Sequence, residues 1–466
     1  MLAGNPVDLA RQARAELARR ELRRRAATQS MSAFCAAVDP MYESAPHTVA
    51  LCERLDALAL GEIDKLAIFM PPRCGKTYHA AERFPAYFLG QNPTAQVITT
   101  SYTIDRAVRS SRRVRSIIRE RELWPWPEID LSSDSTAVET WETRQGGILK
   151  AAGVGGSITG FGAHLLAIDD PIKDRAEADS GPNRDRQWVW YTEVARTRLM
   201  RGGRQLIMLT RWHEDDLAGR ILNSPGASEW TVLSLPWFAE EGDALGRAVG
   251  EPLWANGPSV PSVEKGEISS RAWAALYQQR PTLEVGNLFQ REWFQHRAEM
   301  PASFRAVVQT IDSAWKTGVA NDYSVIATWG FDGLRYHVID VWREKVEYPD
   351  LERIALQAYE WYRPGVVIIE DAASGTALIQ AFKRTSIPVL AVPALGSKVS
   401  RAESMTPLFE SGKVVLPLSA PWIDDFIEEH VTFPHGKHDD QVDTTTMALS
   451  RLSNEDGRGR PFAVRV

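Results

Sequence analysis

The chain has 466 residues, more than one hydrophobic core usually organises, so two domains are the default expectation. Apolar residues make up 44% and charged residues 24% of it, the balance of an ordinary globular protein rather than a disordered or fibrous one. The net charge of −6 excludes a uniformly basic nucleic-acid binder; no apolar run is long enough to span a bilayer, and the N-terminus lacks the order of a secretion signal. Three cysteines (Cys35, Cys52 and Cys74) without CxxC spacing predict neither a disulfide framework nor a zinc site, and fit a reducing cytosol.

In chain order, residues 1–40 read as a basic, Ala- and Arg-rich helical arm whose arginines face solvent. A block follows at 41–235 in which short apolar strands alternate with helical stretches, the pattern of βαβ units and a parallel-rich sheet. Its strands are KLAIFM from Lys65, AQVITTS, LLAIDDP ending at Pro171, and RQLIMLT ending at Thr210; an arginine-rich helix begins near Asp105. Residues 236–305, rich in Gly, Pro and Trp, read as a connector with a helical piece at Arg271 to Gln279. The block 306–453 opens with three strands in meander order, turning at Asp332-Gly333. It continues with a helix to Tyr362, the strand VVIIED, a helix at Thr376 to Arg384, the strand PVLAVPA and a final helical pair, before a loose tail at 454–466.

Two chemistries are written into these blocks. Met70-Pro-Pro-Arg-Cys-Gly-Lys-Thr77 sits between a strand and a helix, the context a phosphate loop requires. Backbone N–H groups across Pro72, Arg73, Cys74 and Gly75 would cradle phosphate oxygens of ATP, with Lys76 reaching the β- and γ-phosphates and Thr77 ligating Mg²⁺. Met70 stands where that motif usually has its first glycine. The strand LLAIDDP supplies Asp169 for the same Mg²⁺ and Asp170 to polarise the attacking water; Asp at a strand end is otherwise a common cap. Arg73 can act as an arginine finger, and Thr210 and Arg211 occupy the position of a γ-phosphate sensor. His213, Glu214 and Asp215 imitate metal ligands but read as the start of a helix, where acids are favourable.

In the second block, acids recur at the ends of separate elements: Asp312, the pair Glu370 and Asp371, and Asp439, Asp440 and Asp443 in KHDDQVDTTT. Hard divalent cations prefer oxygen ligands, and ending a buried strand in carboxylates is costly without a counter-charge. A three-strand meander, a helix, a fourth strand and a late helical carboxylate together predict a ribonuclease H-like mixed sheet, in which such acids hold two Mg²⁺ or Mn²⁺ ions. Asp322 is a weaker ligand candidate, and His438 one that could orient a carboxylate or water.

The series MPPRCGKT, LLAIDDPIKD, LTRWHEDDLAGRI, LYQQRPTLEVGNLF, IDSAW…NDYSVIATWG, IIEDAASGTALIQ and HDDQVDT resembles, in order, the motifs of terminase large subunits of tailed phages and prophages, from about Tyr42 to Leu452. The resemblance implies an N-terminal ASCE-type P-loop packaging ATPase and a C-terminal ribonuclease H-like nuclease. Such a motor moves double-stranded DNA into a procapsid and cuts concatemeric DNA at the start and end of packaging. It implies partnership with a small terminase subunit, the portal protein and a ring of like subunits, with a monomer in isolation and no membrane. The setting implied is the host cytoplasm, transiently on the procapsid. Carried over by position, Lys76, Thr77 and Asp169 match the nucleotide and Mg²⁺ residues, Thr210-Arg211 the coupling motif, and Asp312, Glu370 or Asp371, and Asp439 or Asp440 the nuclease acids; Tyr42 and His47 stand where adenine is often contacted. Many members have Glu where this chain has Asp170. A helicase-like or repair translocase whose second domain binds DNA without cutting it shares the first half, but gives no reason for carboxylates at three matched element ends. A non-enzymatic assembly protein needs none of these sets.

Overall fold

The computed structural model describes residues 6–134, 137–281, 288–313, 323–371, 375–393 and 397–455. Asp322 and the tail beyond Glu455 lie outside them. The chain divides into two compact units, Met1–Ser259 with Arg271–Leu283, and Val260–Ser270 with Glu284–Val466. No helix among the described residues is long and apolar enough to cross a membrane.

The first unit is built on seven strands: β1 Lys65–Phe69, β2 Gln96–Ser101, β3 Thr140–Glu142, β4 Ile148–Gly153, β5 Ala163–Asp169, β6 Leu199–Leu209 and β7 Thr231–Ser234. Their order is β3-β4-β2-β5-β6-β1-β7, parallel throughout except for the β3–β4 pair. The strands β1, β2 and β5 are buried almost along their whole length, as continuous apolar runs in parallel sheets require. The order has β6 between β1 and β5, the arrangement expected of an ASCE-type sheet. Register then aligns the strand ends: Phe69 lies opposite Leu209, and Asp169 opposite Met208. The next residues, Met70, Thr210 and Asp170, therefore leave the sheet side by side, at the carboxyl edge where parallel sheets bind ligands.

Sequence patterning carries no signal for β3, β4 and β7. ILKAAG is short, rich in Ala and Gly, and flanked by glycines, while β3 and β7 have three and four residues. The arginine-rich helix is Ile104–Arg119, capped by the Thr103 side chain. It packs on β2 and β4 through Ala107, Val114 and Ile118, leaving Arg109, Arg112 and Arg113 exposed on the opposite face. The N-terminal basic stretch is a helix, Pro6–Ala27, in which Glu16–Arg20 and Glu21–Arg25 pair at one-turn spacing.

The second unit holds β8 Arg297–Ala298, β9 Ala306–Asp312, β10 Ser324–Phe331, β11 Tyr336–Glu344, β12 Val366–Glu370, β13 Val389–Val392 and β14 Val414–Pro417. Their order is β13-β12-β9-β10-β11-β14-β8. The antiparallel meander β9-β10-β11, with β12 and β13 added in parallel beyond β9, is the mixed sheet expected from the sequence. Gly333 at φ 104° makes the hairpin turn, and the Asp332 carboxylate accepts from the N–H groups of Leu334 and Arg335. Both faces are covered. Val308, Val325, Trp329 and Ile368 point to a core with Phe409, Phe426 and Leu449, while Ile311, Ile326, Val367 and Ile369 meet Leu351, Leu378 and Phe382. Instead of a closing helical pair, three helices (Lys398–Glu410, Ile423–Thr432 and Asp440–Glu455) are present, with β14 between the first two. Its four residues, VVLP, are too few to register as a strand in the sequence.

Trp329 is fully buried in this core, whereas Trp361 is 79% exposed. Trp329→Ala should therefore destabilise by about 3–5 kcal/mol and Trp361→Ala by no more than about 0.5 kcal/mol, read from denaturant unfolding of the full chain.

Candidate functional site

The loop after β1 turns on two left-handed residues, Arg73 (φ 62°) and Gly75 (φ 89°). A Cβ at position 75 would meet the His79 ring at 3.2 Å, so glycine suits both the backbone and the space. Left-handed Gly75 followed by right-handed Lys76 is the backbone alternation of anion-binding nests. Lys76, only 5% exposed, donates from Nζ to Thr210 Oγ1 at 2.7 Å and lies 3.0 Å from Asp170 Oδ1. Thr210 closes the knot: its hydroxyl donates to the Met70 carbonyl at 3.2 Å and its N–H to Asp170 Oδ1 at 3.0 Å. Thr77 Oγ1 donates to the Asp169 carboxylate, with 3.2 and 3.3 Å to its two oxygens. Burial, and after it the neighbouring Asp170, push the Asp169 carboxyl well above the usual carboxylate range, with Lys76 opposing them.

An open cavity of about 500 Å³ lies over this knot. Pro72, Arg73, Gly75, Lys76, Thr77, Asp170 and Thr210 line it. Cys74 and Asp169 are buried beneath it. Tyr102, Arg106 and Lys173 also line it; Lys173 lies within LLAIDDPIKD, but the motifs give none of the three a role. For Arg106 the available signal is its place in the first turn of the helix that follows β2. Arg211 turns elsewhere: its Nε donates to buried Asp216 at 2.8 Å, and Asp216 in turn caps the helix Leu217–Leu222 through Gly219 N–H at 2.8 Å. His213 and Asp215 serve that helix start too, Asp215 N–H donating to His213 Nδ1 and its carboxylate pairing with Arg184 and Arg220. Tyr42 stacks on Tyr78, and His47 packs against Trp254.

In the second unit, Asp312 ends β9 and Glu370 ends β12, and the parallel register Ile369 opposite Ile311 places the two acids next to each other. The helix Asp440–Glu455, which packs on β9 and β10, brings Asp440 and, one turn on, buried Asp443 to the same edge. Asp443 is the acid least marked in sequence; its signal is the three-residue spacing from Asp440, which shares a helix face. Burial and then the charges of Asp443 and Asp440 raise the Asp312 carboxyl to about 8, with Glu370 adding and Lys398 opposing. Two cations from the helix Lys398–Glu410 bridge the cluster. Lys398 Nζ lies 2.7 Å from both Asp439 and Asp443, and Arg401 lies 2.9 Å from Asp443 and 3.4 Å from Glu370. Asp371 is exposed, its N–H donating to the Val392 carbonyl at 2.8 Å, and half-buried Asp439 pairs with Lys398. His438 meets the Tyr323 ring edge-on at 5.0 Å. Among the described residues, no three of these acids bring ligand atoms within 4.8 Å of one another. An all-oxygen donor set carrying surplus negative charge nevertheless fits hard divalent cations.

Residues 67–296 match the family model described as terminase large subunit, T4likevirus-type, N-terminal, and residues 309–452 match the terminase RNaseH-like domain. The chain belongs to the large terminase family. The second match bears out the ribonuclease H-like expectation for the C-terminal sheet, and the two together place this terminase among bacteriophage DNA-packaging proteins. Among solved structures, it is similar to the large terminase of a thermophilic bacteriophage, at 10% identity and TM-score 0.49, over 90% of this chain and 98% of that one. A complex of that phage's large terminase with ATP-γ-S gives 9% identity and TM-score 0.48, over 89% and 97%. The large terminase nuclease of thermophilic phage G20c with bound magnesium gives 18% identity and TM-score 0.29, over 36% of this chain and 99% of that one. No curated protein matches the sequence.

The raised Asp312 carboxyl fixes the sign of a pH effect. Unfolded, the group ionises near 3.9; folded, it holds its proton to about 8, so between those values rising pH lowers the stability of the chelator-treated terminase. Asp312→Asn removes that loss. At pH 8 it should raise the melting temperature, by roughly 2–4 °C per kcal/mol relieved for a unit of this size, and leave it nearly unchanged at pH 4. An equal shift at both pH values would remove the charge explanation.

Proposed function

We propose that this large terminase is a DNA-packaging motor subunit that hydrolyses ATP to drive double-stranded DNA into a procapsid and uses its C-terminal unit as a two-metal endonuclease on concatemeric DNA. The reading rests on one observation: a lysine-centred strand-end knot under an open cavity and a four-carboxylate edge on a ribonuclease H-ordered sheet occur in two separate units of one chain.

In the first site, Lys76 would exchange its Asp170 and Thr210 contacts for the β- and γ-phosphates of ATP, and Thr77 and Asp169 would hold Mg²⁺. Asp170, released from Lys76, would accept a hydrogen bond from the attacking water. Arg73 and Arg106 offer positive charge along the cavity; Arg73, in the loop itself, is the candidate finger. Thr210 touches Lys76, Asp170 and the loop at once, so it would report loss of the γ-phosphate to the Arg211–Asp216 pair and the helix behind it.

In the second site, Asp312, Glu370, Asp440 and Asp443 would hold two Mg²⁺ or Mn²⁺ ions, with Asp371 and Asp439 at the rim. When bound, such ions supply Lewis-acid stabilisation to the attacking and leaving oxygens of a phosphodiester. Lys398 and Arg401 balance the acids until then and would have to release them. The partners in this reading are a small terminase subunit, the portal protein and like subunits in a ring, the chain being a monomer when free in the host cytoplasm.

Two substitutions separate the activities. Lys76→Ala should lower DNA-stimulated ATP hydrolysis on the order of 10²-fold or more while leaving Mn²⁺-dependent plasmid cleavage intact, and Asp312→Asn should do the reverse. Normal hydrolysis by Lys76→Ala would remove the nucleotide assignment, and normal cleavage by Asp312→Asn the nuclease assignment.

A further inference from the structure

Cys35, Cys52 and Cys74 carry no metal-binding spacing in sequence, yet the fold brings two of them to one histidine. Among the described residues, Cys35, Cys52 and His79 are the only three His, Cys, Asp or Glu side chains whose ligand atoms all lie within 4.8 Å of one another. They come from three elements of the first unit: the helix Met31–Val38, the helix Pro46–Leu60, and the π-helical turn Thr77–Arg83 that leaves the phosphate loop. All three are buried.

Two buried thiols side by side are ordinary packing; a histidine ligand atom meeting both of them is what departs from it. His79 Nδ1 lies 2.8 Å from the Gly75 carbonyl oxygen, so this nitrogen carries the proton and donates it. Nε2 then accepts from the Tyr42 hydroxyl at 3.3 Å, a bond that a cation would replace. A histidine whose other nitrogen donates to a backbone carbonyl is oriented as metal-bound histidines are.

We propose that Cys35 Sγ, Cys52 Sγ and His79 Nε2 form a binding site for one thiophilic divalent cation of the zinc class, with the Tyr42 hydroxyl at the fourth position. Each thiol loses its proton on binding, and the two thiolates offset the two charges of the cation, so a neutral complex is buried. Bond lengths of about 2.3 Å to sulfur and about 2.0 Å to nitrogen set tetrahedral edges of roughly 3.5–3.8 Å, so the side chains need to close by only about 1 Å. Arg83, the nearby cation that would oppose the ion, is already paired with Asp39 at 3.1 Å and Glu82 at 2.8 Å. Sulfur donors distinguish this site from the oxygen sites proposed for Mg²⁺. Half-buried Tyr42 marks the way in. Through the His79–Gly75 bond the ion would brace the exit of the phosphate loop, although the site stands whether or not the loop binds ATP.

The test titrates full-length, reduced, chelator-treated protein with Co²⁺ in excess Mg²⁺, which fills oxygen sites. Only thiolate ligation adds a sulfur-to-cobalt charge-transfer band. One equivalent should saturate that band and Zn²⁺ should displace it. Cys35→Ser and Cys52→Ser should each abolish two-thiolate binding, Cys74→Ser should retain it, and His79→Ala should weaken it by roughly tenfold or more. Absence of the band from wild type, its loss in Cys74→Ser, or its persistence in Cys35→Ser with Cys52→Ser would overturn the proposal. If a Cys35 or Cys52 variant fails to fold, wild type and Cys74→Ser decide the matter by themselves.

Discussion

The contact between Lys76 Nζ, Thr210 Oγ1 and Asp170 Oδ1, at 2.7 and 3.0 Å, ties together the ends of three adjacent strands. A buried ammonium is expensive to keep charged, and it is tolerable here because a carboxylate and a hydroxyl from different strands meet it. That need constrains the whole first unit. Only with β6 between β1 and β5, in the observed register, do Met70, Thr210 and Asp170 emerge together. The same geometry leaves Asp169 one residue back, buried and reachable by the Thr77 hydroxyl.

The second unit solves the opposite electrostatic problem. There the sheet gathers acids, and cations are brought to them from another element: Lys398 and Arg401 lie one turn apart on a single helix and between them contact Asp439, Asp443 and Glu370. In one unit a lysine of the loop is held by an acid and a hydroxyl at the sheet edge; in the other, acids of the sheet and C-terminal helix are held by a lysine and an arginine of a neighbouring helix. Both arrangements occupy with protein charge the positions that phosphate or metal would take in the proposed function. Ligand entry then becomes an exchange of partners rather than the filling of bare charges.

Much of this is legible in the sequence because parallel-sheet architecture advertises itself: apolar runs such as KLAIFM and VVIIED, ended by residues that do not belong in a core, locate both the strand and its working end. The meander can be read from β-branched and aromatic alternation around Asp332-Gly333. The shortest strands toward the sheet margins are not legible. β3, β4, β7, β8 and β14 are held by pairing to their neighbours, and runs of two to six residues carry little periodicity of their own. Side-chain choice within acid pairs is equally hidden. Sequence cannot say that Asp371 faces solvent while Asp443, three residues past Asp440, turns inward, because that depends on where β12 stops and how the last helix is rotated. Arg211 shows the same limit: adjacent to Thr210 in the chain, it is drawn to Asp216 instead of the cavity.

Asp170 adopts φ 40°, a backbone region in which residues with a Cβ are uncommon. Aspartate tolerates it better than most residues, but glycine would relax it fully. A lineage selected for thermal hardiness alone would therefore drift toward glycine at this position and shed the carboxylate that meets Lys76. Retaining an acid on such a kink means that robustness and work pull this strand end in different directions.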